Sequence, residues 1–334
     1  MTAPQADETV LSAIGHTPLV QLPRLFANSR GIRVYAKLEL LNPGGSAKDR
    51  PALRMIREAW RLGRIGPGSV IVESSSGNTA ISLAILCAQY QLRFICVVDP
   101  RTAATNLAIL RALGAEIDTV TEPDPATGEF LPARLNRVRE LLSAVTNSYW
   151  PNQYENDDNW RSQRELMREI AETAGPVDCV VGGVSTCGTM RGCADYVREQ
   201  TLPTRIVAVD VETSAILGGR PGRRLFPGMG AGIVPPFGKQ PFWDEAIAVS
   251  DEEMVAGCRA LARQEGLLAG PSSGGVAAAA LRMMRQLPDR ATCAILLHDR
   301  GERYLDTVYS DEWVLGKFGR IPSLDREEDS ACES

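Results

Sequence analysis

The chain has 334 residues, 44% of them hydrophobic and 23% charged, which is enough length for two domains and enough apolar content for a sizeable core. Its formal charge of -5 is too small to favour nucleic acid or an anionic membrane as a partner. No apolar run reaches the roughly 18 residues that cross a bilayer, and the first residues lack a basic segment followed by an apolar one. We therefore expect a cytoplasmic protein without nucleic-acid or membrane partners.

The predicted elements alternate between strands and helices along the whole chain. β-Branched apolar runs predict strands at 33–39, 69–72, 93–98, 116–120, 178–181, 205–211 and 292–297. Helical periodicity predicts helices at 48–62, where Leu53, Ile56 and Trp60 share one face, and at 79–90, which is apolar nearly all round. This alternation is typical of an α/β fold with mainly parallel sheets flanked by helices.

Two segments interrupt the alternation. Residues 121–130 and 218–240 are rich in turn-forming residues, and the second segment is too long for a simple turn. Such a stretch inside an enzyme is a substrate loop or, as the alternative, a domain linker. After residue 318 the chain becomes polar and acidic, which predicts a frayed tail over 319–334.

The counts of histidine, cysteine and lysine narrow the chemistry. Only two histidines occur, His16 and His298, so metal sites built on paired histidines and Ser-His-Asp hydrolysis have few candidates. The eight cysteines lack CxxC spacing, and we expect neither a disulfide framework nor a metal site. Covalent chemistry on a lysine amine is limited to four positions: Lys37, Lys48, Lys239 and Lys317.

Lys48 stands out among these lysines because of the loop that precedes it. In NPGGSAKDR, residues 42–50, a proline and two glycines form a tight loop that delivers Lys48 to the first turn of a predicted helix. The positive partial charge of a helix N-terminus favours loss of the ammonium proton, which suits a nucleophile that forms a Schiff base. A solvated lysine is the alternative. No segment matches the P-loop pattern GxxxxGK[ST].

Three further loops join a predicted strand or coil to a helix: ESSSGNT at 73–79, GGVSTCGTMRG at 182–192 and GPSSGG at 270–275. Hydroxyl groups and helix N-terminal N–H groups suit an anion such as a phosphate or a carboxylate. Because the carboxyl ends of parallel strands meet at one edge of a sheet, these loops predict a common pocket for an anionic cofactor. No loop matches GxGxxG, which disfavours a nucleotide-dependent oxidoreductase, the alternative from another enzyme class.

Several motifs in chain order resemble those of the cysteine synthase and cystathionine β-synthase group, which are fold type II pyridoxal phosphate (PLP) enzymes of the tryptophan synthase β type. The motifs are IGHTPLV at 14–20, NPGGSAKDR at 42–50, SSGNT at 75–79, STCGT at 185–189, PGMGAG at 227–232, GPSSGG at 270–275 and DRGERYL at 299–305. The resemblance spans roughly residues 8–315. It implies a larger PLP-binding domain of residues 1–41 and 150–318, a smaller mobile domain of residues 42–149, and a homodimer.

The resemblance also implies roles for individual residues. Lys48 would hold PLP as an imine and act as the catalytic base, Asn78 would bind the pyridoxal hydroxyl, and Ser272 would face the pyridine nitrogen. The phosphate would be held by Ser185, Thr186, Cys187, Gly188 and Thr189. The carboxylate of the substrate would be held by Ser75, Ser76, Thr79 and Gln153. A non-catalytic module that kept the fold is the alternative, and the presence of all these residues disfavours it.

Within this group the chain most resembles the N-(2-amino-2-carboxyethyl)-L-glutamate synthases, which supply 2,3-diaminopropionate to siderophore pathways. The cues are YWPNQYEN at 149–156, GGRPGRRL at 218–225 and HDRGERYLDTVYSDEW at 298–313. Tyr154 and Ser185 replace the phenylalanine and glycine that are usual in cysteine synthases, and their hydroxyls suit a phosphate leaving group. Arg134 and one of Arg223 and Arg224 are candidate partners for phosphate or for the second substrate's carboxylates, with a solvated surface position as the alternative.

The resemblance therefore implies a β-replacement. O-phospho-L-serine would lose phosphate to give an α-aminoacrylate, and the amine of L-glutamate would add to Cβ. The alternative within the same fold is a cysteine synthase that uses O-acetylserine or O-phosphoserine with sulfide.

Overall fold

Two separate sheets organise the chain in the computed structural model, which describes residues 9–324. Their ten strands within that range are β1 (Leu19–Gln21), β2 (Arg33–Leu38), β3 (Val70–Ser74), β4 (Arg93–Val98), β5 (Glu116–Thr119), β6 (Ser148–Tyr149), β7 (Cys179–Gly183), β8 (Arg205–Val211), β9 (Glu245–Val249) and β10 (Thr292–Leu297). One sheet has six strands in the order β1-β2-β10-β7-β8-β9, and the other has four in the order β5-β4-β3-β6. All neighbouring pairs are parallel except β1 with β2.

Helices cover the faces of both sheets. In the described part of the chain they are α1 (Asp49–Arg61), α2 (Asn78–Tyr90), α3 (Ala104–Ala112), α4 (Phe130–Ala144), α5 (Asp158–Ser162), α6 (Arg164–Ala174), α7 (Gly188–Glu199), α8 (Asp251–Glu265), α9 (Pro271–Met284) and α10 (Asp311–Phe318). Between residues 9 and 324, no helix combines the length and apolar character needed to span a bilayer.

The central strands are apolar on both faces because each face packs against helices. In β10, Ile295 and Leu297 pack with residues of α8 and α9 on one face. The intervening Leu296 points to the other face and packs with residues of α6 and α7. The four-stranded sheet is built in the same way, since Ile71 contacts the cluster of α1 and α2 whereas Val72 contacts α4.

The seven predicted strands are all present, and each boundary agrees with the prediction to within two residues. The predicted helices at 48–62 and 79–90 are also confirmed, as α1 and α2. Three strands were not predicted, β1, β6 and β9, and each lies at the edge of a sheet. An edge strand is partly solvated, so it lacks the continuous apolar run that marks a buried strand: the burial of β9 alternates along most of its length.

The long segment 218–240 is not a linker between domains, because it joins β8 to β9, which are neighbours in one sheet. It contains one short 3-10 turn, Pro236–Gly238, and is otherwise irregular. The other predicted loop ends where α4 begins at Phe130. Most of the predicted tail over 319–334 lies outside the described residues.

A cluster of four buried charges ties β2 and α1 to α6. The Arg50 guanidinium donates to Glu39 at 2.7 and 2.9 Å and to Glu169 at 2.7 and 2.8 Å. The Lys37 ammonium donates to Glu169 at 2.6 Å. Two cations thus face two anions, and the exposed fraction of each side chain is at most 8%. A buried charge is tolerated only when it is paired and hydrogen-bonded, as these are.

Candidate active site

The loop before α1 places Lys48 at the N-terminal end of that helix. Gly45 adopts a left-handed φ of +76°, which an L side chain rarely takes. A Cβ at Gly44 would lie 2.3 Å from the Asp49 carboxylate, which accepts the Gly44 N–H. Both glycines are therefore required for the tight turn that the sequence predicted, and the turn directs Lys48 into a cleft.

The ammonium of Lys48 lies in an environment that favours the neutral amine. Burial lowers its pKa, against the opposing effects of the nearby Asp299 carboxylate and the Cys187 thiol. Desolvation is the main cause of this shift, and not the helix N-terminus that the sequence indicated.

The segment between β7 and α7 forms a second wall of the same cleft. Its five predicted phosphate-binding residues all line the cleft: Ser185, Thr186, Cys187, Gly188 and Thr189. Cys187 has a left-handed φ of 67°, which turns the chain sharply before α7 begins at Gly188. A helix N-terminus preceded by hydroxyl groups is a favourable place for an anion, as the sequence predicted.

Asn78 and Ser272 complete the set that the sequence assigned to a cofactor. Asn78 is the first residue of α2 and Ser272 the second of α9, and both line the cleft with Lys48. Asn78 donates through Nδ2 to Asp299 at 3.0 Å and accepts from Arg303.

His298 also lines this cleft, and the sequence analysis did not assign it to the site. Its Nε2 accepts the Gly183 N–H at 2.9 Å, so this nitrogen carries no proton. Burial, followed by the positive charge of Lys48, lowers its pKa from 6.5 to about 4. Its position directly after β10, at the carboxyl edge of the sheet, was the signal that could have identified it.

The low pKa of His298 should make the protein less stable as the pH falls from 6.5 to 4. In that range the unfolded chain binds a proton on this imidazole and the native chain does not, so unfolding is favoured by about 3 kcal/mol. In His298→Gln, the amide oxygen can still accept the Gly183 N–H and does not titrate. Urea unfolding at several pH values should show a shallower acid decline for this variant than for the wild type.

The matched control is His16, which is exposed and has a positive φ of 47° that asparagine tolerates. His16→Asn should retain the wild-type pH dependence. Equal acid slopes for the wild type and His298→Gln would contradict the assignment.

The predicted carboxylate-binding residues lie around the N-terminus of α2. Gln153 Oε1 accepts the Thr79 hydroxyl at 2.7 Å, which leaves the Gln153 amide nitrogen available as a donor. Ser75 Oγ accepts the N–H groups of Gly77 and Ala80 at 3.4 and 3.3 Å, so its own hydrogen is also available. The hydroxyl of Thr79 is committed to Gln153, and it therefore positions that side chain.

Glu73, which the sequence analysis did not assign to the site, anchors the loop that carries Gln153 and Tyr154. It accepts the indole N–H of Trp150 at 2.9 Å and the backbone N–H of Ser74 at 2.9 Å. Burial raises its pKa from 4.5 to about 7, and the hydrogen bonds from Trp150 and Ser74 act in the opposite direction. The carboxylate thus fixes the loop from the end of β3.

Arg134 is not a solvated surface residue. It lies on α4 with a 13% exposed side chain, and its Nε is 3.3 Å from the Asp99 carboxylate. Nε and Nη1 are buried without a hydrogen-bond partner in the described structure. The positive charges of Arg134 and Arg224 act to lower the pKa of the Tyr154 hydroxyl. Burial nevertheless raises the pKa of Tyr154, so the phenol stays protonated as a donor.

The comparison with protein families identifies the cofactor class. The sequence profile of the pyridoxal-phosphate dependent enzymes matches residues 10–299. The chain belongs to this family. Two named relatives, both N-(2-amino-2-carboxyethyl)-L-glutamate synthases, come from Ralstonia nicotianae and Cupriavidus metallidurans. The Ralstonia protein is 45% identical, and the match covers 92% of this chain and 91% of the relative. The Cupriavidus protein is 44% identical, and the match covers 95% of this chain and 94% of the relative.

Solved structures of the same fold belong to related enzymes. The O-acetylserine dependent cystathionine β-synthase of Helicobacter pylori matches with a TM-score of 0.84 and 33% identity, covering 93% of this chain and all 100% of that one. The cysteine synthase of Entamoeba histolytica matches with a TM-score of 0.84 and 32% identity, and the match covers 92% of this chain and 93% of that enzyme. These matches confirm the fold type II α/β architecture. The chain is a PLP-dependent transferase that carries out β-replacement on amino-acid substrates.

The donor set of the cleft fits PLP. It offers the amine of Lys48 for the aldehyde, the hydroxyls and helix N-terminus at 185–189 for the phosphate, and the Ser272 hydroxyl for the ring nitrogen. A Cβ added at Gly228 would lie 3.7 Å from Ser272 Oγ, which shows how closely the segment 218–240 approaches this wall.

Proposed function

We propose that this enzyme converts O-phospho-L-serine and L-glutamate to N-(2-amino-2-carboxyethyl)-L-glutamate and phosphate. The observation that carries the proposal is the match to two synthases of that name over more than nine tenths of both chains. The contacts of the site supply a physical basis for binding the carboxylate and the phosphate of the donor.

Lys48 is the proposed catalytic residue. When bound, PLP supplies an electron sink for the negative charge that develops at the Cα of an amino acid. The Nζ of Lys48 would bond to the cofactor aldehyde and, once released by the incoming substrate, take the Cα proton. Burial lowers the pKa of this amine, which favours the neutral form that can accept the proton.

Ser75 and Gln153 would bind the carboxylate of the donor amino acid, together with the Ser76 and Thr79 segment at the N-terminus of α2. The Ser75 hydroxyl and the Gln153 amide each retain an uncommitted hydrogen, as their hydrogen bonds show. Charge-assisted bonds from fixed donors hold the substrate in one orientation.

Arg134, Tyr154 and Ser185 would receive the leaving phosphate. The Nη1 of the Arg134 guanidinium is buried without a hydrogen-bond partner, whereas its Nε forms an ion pair with Asp99. A phosphate oxygen would satisfy Nη1. Tyr154 adds a protonated phenol. Ser185 lines the cleft, and its hydroxyl, which donates to the Gly230 carbonyl at 3.2 Å, would turn to the phosphate. A neutral acetate would gain less from a guanidinium than a phosphate does, which favours O-phospho-L-serine as the donor.

Arg134→Gln should reduce kcat/KM for O-phospho-L-serine by about 10- to 100-fold, because one charged hydrogen bond is lost. The same variant should retain its rate with O-acetyl-L-serine, whose leaving group carries no phosphate charge. Steady-state rates with both donors measure this difference. Arg139→Gln, on the exposed face of the same helix, is the matched control. Equal losses with both donors would contradict the phosphate role.

Product analysis tests the proposed function as a whole. The enzyme is incubated with O-phospho-L-serine or O-acetyl-L-serine, each with L-glutamate or sulfide, and the products are identified by mass spectrometry. We expect the glutamate adduct from O-phospho-L-serine at the highest rate. Cysteine as the dominant product would instead support the cysteine synthase alternative, which the solved structures of related enzymes represent.

The proposal extends to the domains and the biological context. Residues 42–149, which contain the whole four-stranded sheet, would move as a smaller domain over the substrate and exclude water. The product would supply 2,3-diaminopropionate for a siderophore, made by a cytoplasmic homodimer.

A further inference from the structure

We propose that Asp299 and Arg303 are positioning residues that fix the side-chain amide of Asn78, so that one of its N–H bonds is aimed at the cofactor. This inference rests on the proposed role of Asn78 as a cofactor ligand. It concerns residues of the turn after β10, which no part of the sequence analysis assigned to the site.

The two contacts determine which way the Asn78 amide points. Its Oδ1 accepts from the Arg303 guanidinium, and its Nδ2 donates to Asp299 Oδ2 at 3.0 Å. A guanidinium offers only donors, so Arg303 can bond only to the amide oxygen, and a flipped amide would lose this bond. One hydrogen of Nδ2 remains uncommitted on a residue that lines the cleft with Lys48.

Asp299 and Arg303, which together form a clamp on the Asn78 amide, are themselves held by further contacts. Asp299 is 1% exposed, and the Tyr304 hydroxyl donates to its Oδ2 at 2.8 Å. Arg303 also donates to the Gly44 carbonyl, which belongs to the loop before Lys48. The Arg300 N–H donates to the Gly45 carbonyl of that loop at 3.1 Å. One turn therefore fixes both the Asn78 amide and the loop that carries Lys48.

The clamp also joins the two sheets. Asn78 begins α2, which follows a strand of the four-stranded sheet, whereas Asp299 follows a strand of the six-stranded sheet. Contacts within the protein orient the Asn78 amide. Such preorganisation avoids the cost of ordering the side chain on binding.

A double-mutant cycle on PLP affinity tests the clamp. The apoenzyme of each variant is titrated with PLP, and the dissociation constant and the visible absorption maximum of the bound cofactor are recorded. We expect Asp299→Ala and Asn78→Ala each to weaken binding by about tenfold, the equivalent of one hydrogen bond. Because Asp299 acts through Asn78, Asp299→Ala should add less than about twofold in the Asn78→Ala background.

Glu302→Gln is the matched control, since it removes a negative charge from the same turn at an exposed position. It should leave both the affinity and the absorption maximum unchanged. If circular dichroism shows that the Asp299→Ala apoenzyme is not folded, Arg303→Gln takes its place in the same cycle.

A full effect of Asp299→Ala in the Asn78→Ala background would overturn the proposal, as would an unchanged affinity in the single variants. Because the measurement is cofactor affinity, it decides the role of Asp299 whichever donor the enzyme uses. Phosphate release from O-phospho-L-serine by the wild type tests the proposed function separately.

Discussion

Lys48→Ala is expected to abolish β-replacement and the visible absorbance of the bound cofactor together. The variant lacks the only amine that lines the cleft among the described residues. Loss of the proton transfer alone should reduce kcat by about 10²- to 10⁴-fold. Phosphate release from O-phospho-L-serine and the visible spectrum of the purified variant measure both effects.

Lys239→Ala is the control for this substitution. Lys239 is exposed at the end of the turn Pro236–Gly238, and its loss should change neither activity nor spectrum. Turnover retained by Lys48→Ala would remove this lysine from the catalytic role.

Glu169→Ala is expected to lower the free energy of unfolding by about 3–5 kcal/mol, because it leaves Lys37 and part of Arg50 as buried charges without their partner. Burial opposes the ionisation of Glu169, but hydrogen bonds and charge from Arg50, and then Lys37, lower its pKa from 4.5 to about 2. Urea unfolding at neutral pH should show the loss. The contribution of the Glu169 carboxylate to the free energy of unfolding is fully present above pH 4.5 and is lost as the pH falls towards 2.

Glu172→Ala provides the comparison on the same helix. Its carboxylate pairs with Arg168 at 2.8 Å, but its side chain is 59% exposed. An exposed pair contributes about 1 kcal/mol or less, so Glu172→Ala should have a small effect. Similar losses for the two variants would show that the buried charge cluster has no special role in stability.

The centre of the fold was predictable from sequence because buried parallel strands are continuous apolar runs. β8 and β10 were predicted at their observed boundaries for this reason. The edge strands β1, β6 and β9 were not predicted, because β1 and β6 have only three and two residues and the burial of β9 alternates along most of its length.

A pocket for an anionic cofactor could be predicted because glycine- and serine-rich loops after parallel strands meet at one edge of a sheet. The roles of Asn78 and Ser272 followed from the resemblance to PLP enzymes. His298, Asp299 and Arg303 were missed, because their roles depend on contacts with residues more than a hundred positions away in the chain. The commitment of the Thr79 hydroxyl to Gln153 was also not predictable, since sequence does not show which acceptor a hydroxyl meets.

Arg134 shows the limit of composition as a guide to burial. Arginines are mostly exposed, so a surface position was the expected alternative for this residue. Its helix instead packs on the four-stranded sheet and brings the guanidinium to Asp99, at the carboxyl end of β4. The contact that buries it exists only in the folded chain.

Borohydride reduction followed by peptide mapping tests the central role of Lys48 most directly. The chain has only four lysines, so the position of a pyridoxyl group is unambiguous. We predict that the purified enzyme is coloured and that, after reduction, the added mass lies on the peptide containing Lys48. An adduct on Lys37, Lys239 or Lys317, or no adduct at all, would contradict the account.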